Sequence, residues 1–182
     1  MIFHKIFNPD SYRDQFSIPI AIGIKVQFSK FIICILPIAC YLLNSCTTVD
    51  LYEKTVAVPD HKWKSSYKPE FNFIISDTTA LYQAYFVIRH TEKYNYNNIW
   101  VNYYYQPPGD TMHKETREFQ LATNDKGWLG TGMDDVYEHR LKFAPEPGKL
   151  RAGSYKFILE NIMREDPLQH VLNVGIRIEK VQ

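Results

Sequence analysis

Cys46 is the residue whose type and setting prescribe chemistry most directly. It closes the tetrad Leu43-Asn44-Ser45-Cys46, which ends the uncharged run Phe31 to Leu43 and lies behind Lys25 and Lys30. A basic segment followed by a short apolar one makes a secretion signal, whereas a membrane-spanning helix needs about 20 apolar residues. Leucine three places before the cysteine and a small residue one place before it form a bacterial lipobox. Signal peptidase II cuts ahead of such a cysteine, which is then acylated. Each buried methylene contributes about 0.8 kcal/mol, so two or more chains hold a protein firmly on a leaflet. Cys46 is therefore the expected lipidation site.

The remaining candidate chemistry is recognition. Trp128 stands in Leu121 to Arg140 (LATNDKGWLGTGMDDVYEHR), which reads as a long irregular loop rich in glycine. A tryptophan on such a loop either tucks back onto its own domain or anchors a partner. Asp134 and Asp135, with Glu138, could offer oxygen ligands to Ca²⁺, but the spacing matches no EF-hand loop and solvated acids in a turn are expected. Tyr94, Tyr96 and Trp100 begin an aromatic cluster that continues through Tyr103, Tyr104 and Tyr105. In a strand over 99–105 half of these rings point inward, and the outward ones could stack on a sugar or anchor a protein. Trp128, Asp134, Asp135, Tyr94, Tyr96 and Trp100 are the candidate partner-binding residues.

Catalytic patterns are missing. The histidines past the signal (His61, His90, His113, His139 and His170) form no His-Glu-x-x-His motif and share no close metal-ligand spacing. The serines past residue 46 lie outside any Gly-x-Ser-x-Gly elbow. Gly127, Gly130 and Gly132 do not make a dinucleotide fingerprint. The three cysteines all fall within the first 46 residues, so the body has neither a thiolate zinc site nor a cysteine nucleophile. Asp134 and Glu138 could be a glycosidase pair only at a separation that sequence does not give. No catalytic residue, cofactor or metal is expected.

The elements that would position these residues read as β-structure. The 182 residues carry 15% aromatic side chains, with 13 Tyr and 11 Phe, and a net charge of +1 that gives no footing for nucleic acid. Apolar residues alternate in Phe71 to Ile75, Leu81 to His90, Ile99 to Tyr105, Tyr137 to Phe143, Gly153 to Asn161 and Val171 to Val181. Thr55 to Val58 forms a further short strand, and the charged stretch Thr111 to Ala122 suits an exposed or edge strand. Gln106-Pro107-Pro108-Gly109-Asp110 is a strong turn. About eight strands without a long amphipathic helix predict an all-β fold: a single antiparallel β-sandwich of jelly-roll or immunoglobulin-like type, after an N-terminal lipoprotein signal peptide. The expected organisation is 1–24 as an upstream extension or a miscalled start, 25–45 as signal peptide, 46–70 as anchor and lead-in, and 71–182 as sandwich.

Val87-Ile88-Arg89-His90-Thr91, Asn98-Ile99-Trp100-Val101-Asn102, Pro108-Gly109-Asp110-Thr111, Phe119-Gln120-Leu121-Ala122, Trp128 through Asp135 and His170 through Lys180 closely resemble the GldH gliding-motility lipoproteins of Bacteroidetes. The likeness runs from about Tyr52 to Val181 and includes the lipoprotein cysteine, Cys46. It implies a non-enzymatic accessory of the machinery that moves adhesins over the cell surface and is tied to type IX secretion. Membrane attachment would come through the N-terminal lipid on the periplasmic side, with inner or outer membrane open, and other machinery proteins would be the partners. A glycan is the alternative ligand. The resemblance assigns no catalytic residue; Cys46 alone carries a chemical role.

Overall fold

The computed structural model describes residues 51–181; the expected extension, the signal peptide and Cys46 lie outside the described residues. Fourteen strands follow in chain order. The first half holds β1 (Leu51–Ala57), β2 (Lys62–Trp63), β3 (Glu70–Ile75), β4 (Leu81–Thr91), β5 (Asn98–Gln106), β6 (His113–Gln120) and β7 (Ala122–Thr123). The second holds β8 (Gly127–Trp128), β9 (Thr131–Met133), β10 (Val136–Lys142), β11 (Gly148–Lys149), β12 (Gly153–Asn161), β13 (Leu168–Gln169) and β14 (Val171–Val181). Among the described residues no helix is long and apolar enough to cross a membrane.

Two antiparallel sheets make a β-sandwich. One has the order β1-β14-β4-β10-β9 with β11 beside β4, and the other the order β3-β12-β5-β6. Apart from the β5–β6 hairpin, the long strands alternate between the sheets along the chain, an arrangement closer to a jelly roll than to an immunoglobulin domain. The alternating apolar positions explain this directly. Phe71, Phe73 and Ile75 of β3 are buried while Asn72 and Ile74 are exposed. Tyr155, Phe157 and Leu159 of β12 point the same way, and Phe86, Ile88 and Ile176 close the core from the other sheet. Phe86 lies at the centre, 5.2 Å from the Phe119 ring and 6.3 Å from the Phe143 ring.

The charged stretch is an edge strand, as its composition predicts: β6 pairs only with β5, and Phe119 is its one fully inward residue. The lead-in is part of the sheet, because β1 pairs with β14 from Leu51↔Glu179 to Ala57↔Asn173. Its approach is close: a Cβ on Gly175 would stand 2.3 Å from the Lys54 carbonyl oxygen, so only glycine lets the two backbones meet there. The stretch expected as an irregular loop differs from that expectation. Ala122–Thr123 pairs with Gly127–Trp128, and Thr131–Met133 extends the larger sheet beside β10. Strands of two or three residues are too short to show a period.

Candidate functional site

Strand direction gathers the candidate residues at one end of the sandwich. β4 ends at Thr91, β5 starts at Asn98, and β9 and β10 meet at Met133↔Val136. Tyr94 and Tyr96 lie on the β4–β5 connection, Trp100 near the start of β5, Trp128 on β8, and Asp134 with Asp135 in the β9–β10 turn. Leu51 and Val181 mark the opposite end, since β1 and β14 pair there.

Their environments separate them. Tyr94 is buried, and its hydroxyl donates to the Asn98 carbonyl at 3.0 Å. Burial, with the neighbouring Tyr96 and Glu165, pushes this phenol far above its ordinary value. Tyr96 is half-buried, meets the Tyr94 ring edge-on at 5.9 Å and donates to Glu165. Trp100 is 40% exposed on the outer face of the smaller sheet, beside exposed Ile162, whose N–H donates to the Trp100 carbonyl at 3.2 Å. Asp134 and Asp135 are exposed; Asp134 takes the left-handed conformation (φ 54°), and the Asp135 carbonyl accepts from the Glu92 N–H at 2.7 Å. Glu138 turns away from both aspartates, pairing with Arg89 at 3.0 Å and Arg140 at 2.8 Å. Among the described residues no three His, Cys, Asp or Glu side chains stand close enough to hold a metal ion.

Trp128 packs against its own domain. Its ring lies 4.4 Å from His90, 5.7 Å from Tyr137 and 6.2 Å from Tyr94. Beneath it is a feature that motif spacing does not reveal, a buried imidazole pair. His90 and His139 stack at 5.0 Å between ring centres, with Nε2 atoms 3.0 Å apart. His90 Nδ1 lies 2.8 Å from the Thr91 carbonyl oxygen, so that nitrogen carries the proton and donates. His90 Nε2 is then the acceptor for the Nε2–H of His139, and both rings are neutral. Burial lowers the His90 pKa; burial together with His90 lowers that of His139 to about 4. Gly130 closes the lid: a Cβ there would meet the Glu138 carbonyl oxygen at 2.5 Å and His139 Nε2 at 2.8 Å.

Trp128 covers His90, and both imidazoles are buried, His139 at the floor of an open groove of about 300 Å³ lined by Leu129, Gly130, Thr131 and Glu138. Among the large apolar side chains at this end, Trp100, Leu129, Met133 and Ile162 are exposed, Met133 at 72%, alongside the exposed Asp134 and Asp135. Exposed apolar side chains of this size are candidates for an interaction surface.

The GldH lipoprotein family model matches residues 50–178. The chain is 26% identical over 159 residues, 84% of its length and 97% of the relative's, to a gliding motility lipoprotein GldH homolog of Christiangramia forsetii. It is 27% identical over 153 residues, 80% of its length and 94% of the relative's, to the gliding motility lipoprotein GldH of Flavobacterium johnsoniae. Among solved structures it is similar to a carbohydrate-binding module specific for non-crystalline cellulose, with 13% identity, 69% of each chain covered and a TM-score of 0.38. Because the family model spans both sheets from β1 into β14, this sandwich with its shielded histidine pair is a member of the GldH lipoprotein family.

Proposed function

We propose that this protein is a non-enzymatic, lipid-anchored subunit of the gliding machinery, coupled to type IX secretion on the periplasmic side, and that it holds a partner protein with the end of the sandwich far from its anchor. Membership in a family of gliding motility lipoproteins supports the anchor and the gliding role. One observation carries the assignment of the surface. Four residues lie between Cys46 and Leu51, five Cα steps that span at most about 18 Å. The 11-residue strands β4 and β14 then extend about 36 Å away from that end. Trp100, Leu129, Met133 and Ile162 sit at the other end of these strands from Leu51.

A glycan ligand is the other reading of the aromatic cluster. It needs at least two open ring faces. Tyr94 is buried and Tyr96 is half-buried and tied to Glu165, so of these three rings Trp100 alone is exposed. The protein partner is therefore favoured. Crosslinking in gliding cells followed by capture of the lipoprotein tests it. Trp100→Asp and Met133→Asp should each abolish one crosslinked species and slow gliding while leaving protein level and melting temperature unchanged. Retention of every crosslinked species in both variants would refute the assignment.

A further inference from the structure

We propose that the opposite, anchor-side end holds a second binding site, a cleft that takes a fatty-acyl chain bearing an anionic head. The two sheets part there around a space of about 460 Å³, within the usual size of ligand pockets. One wall is a flat aromatic floor on the smaller sheet. Phe73 stacks on Tyr155 at 5.2 Å with planes 5° apart, and Tyr103 stacks on Phe157 at 6.1 Å and 3°. Facing it are Ala84 and Ile178 of the larger sheet, and the β10–β12 connection brings Leu150 over the side.

The chemistry of the occupant follows from which polar atoms are already used. The Tyr103 and Tyr105 hydroxyls both donate to Glu115, and the Tyr155 hydroxyl accepts from the Arg151 N–H at 2.9 Å. The Arg117 guanidinium donates to the Phe143 carbonyl. A sugar entering this space would find few free partners for its hydroxyls and would lose their hydration. A methylene chain requires none. The rim is mixed but leaves cations over: Arg151 pairs with Asp110 at 2.8 Å, whereas Arg117 and Lys149 make no ion pair among the described residues. They supply the charge for a carboxylate or phosphate head.

Position agrees with this chemistry. Tyr52 packs on Phe73 at 5.4 Å, so the cleft adjoins the end at which β1 begins. Entry of the chain from a bilayer rests on anchorage at Cys46; the pocket itself does not.

The test uses membranes from cells making the full-length protein, incubated with palmitate bearing a diazirine, irradiated, and analysed for modified peptides. Saturable modification of peptides containing Tyr103–Arg117 or Phe143–Phe157, displaced by unlabelled palmitate, is the expected result. Displacement by palmitoyl lysophosphatidylglycerol at lower concentration than by palmitate would assign the ligand to a lysolipid, the reverse to a free fatty acid. Filling the cleft with Ala84→Trp or Leu150→Trp should cut this labelling at least fivefold, and Lys149→Glu about threefold. Leu150 lies on a connection outside the long strands, so its variant keeps the fold if Ala84→Trp does not. Modification spread evenly over surface peptides, or undiminished by Leu150→Trp, would overturn the proposal. The same labelling in a Cys46→Ala strain separates the two readings, because the cleft labels there whether or not the anchor exists.

Discussion

His90 and His139 meet Nε2 to Nε2 at 3.0 Å inside the sandwich, although 49 residues separate them in the chain. β10 pairs with β4 so that Tyr137 is opposite His90 and His139 opposite Ile88, which puts both imidazoles on the inner face one step apart. The rings around them are Trp128, Tyr94 and Tyr137. The pair can share one hydrogen bond when both rings are neutral and none when both are charged.

Stability should therefore fall in mild acid. An unfolded histidine takes its proton near pH 6.5, but folded His139 resists until about pH 4. Between these values the unfolded chain binds more protons, so lowering pH through that window costs stability, up to roughly 3 kcal/mol, and above about pH 7 the contribution of this histidine is constant. Glu160, lowered to about 2 by bonds from Lys68, Tyr104 and Asn102 despite its burial, loses its contribution only below the ordinary carboxylate range. Urea midpoints at pH 7.5 and pH 5 should differ, and His139→Phe should remove most of the difference. Equal slopes in both proteins would assign the acid sensitivity elsewhere.

Gly130→Ala should act on the same pair. Its methyl group has no room against the Glu138 carbonyl and His139 Nε2, and overpacking of this kind costs about 1–3 kcal/mol. Raised amide exchange of Trp128 and Leu129, with β3 and β12 unchanged, is the outcome expected from hydrogen-exchange measurements. Exchange rates at Trp128 and Leu129 matching the parent's would mean that the lid accommodates the methyl.

The strands were legible because their faces alternate. Tyr137, His139, Leu141 and Phe143 read as one face of a strand, and Tyr82, Ala84, Phe86 and Ile88 as one face of another; the inward direction of His139 and of His90 follows from that period. Which strands neighbour one another does not, since local period carries no information on pairing, and so the imidazole pair stays hidden. Tyr94 looked available because its segment reads as a connection; the chain folds back there, and the Tyr94 N–H donates to the Thr91 carbonyl at 3.1 Å. The anchor-side cleft is hidden for a further reason. The alternation over 99–105 shows that half of the rings face inward; that Tyr103 and Tyr105 are among them, and whether the facing sheet closes on them past the small Ala84, is a matter of packing between strands far apart in sequence.

Cys46→Ala should abolish acylation, leaving an uncleaved or misplaced precursor, because the lipobox pattern places the lipid on the cysteine and alanine offers no thiol to carry it. Incorporation of a clickable fatty acid measures it, with label in the mutant undiminished if the assignment is wrong. Removing residues 1–24 should leave labelling and gliding intact, since the basic and apolar segments begin at Lys25.

Trp128→Ala distinguishes support from contact at the far end. The ring is half-buried and covers His90 at 4.4 Å, so its loss removes packing and admits water to the imidazole pair. Large-to-small changes at fully buried tryptophan cost about 3–5 kcal/mol, and this partly exposed ring should fall near the lower bound, about 3 kcal/mol. Hydration of His90 should also move its pKa back up toward the ordinary histidine value, so the acid-sensitive window of the variant narrows. A surface anchor would behave in the opposite way: melting temperature and pH profile unchanged, partner crosslinks lost. Met133, 72% exposed and without such packing, is the control that should show this second pattern. If Trp128→Ala and Met133→Asp proved indistinguishable in melting temperature, Trp128 would belong to the contact surface, and the shielding of the histidine pair would have to come from Tyr94 and Tyr137 alone.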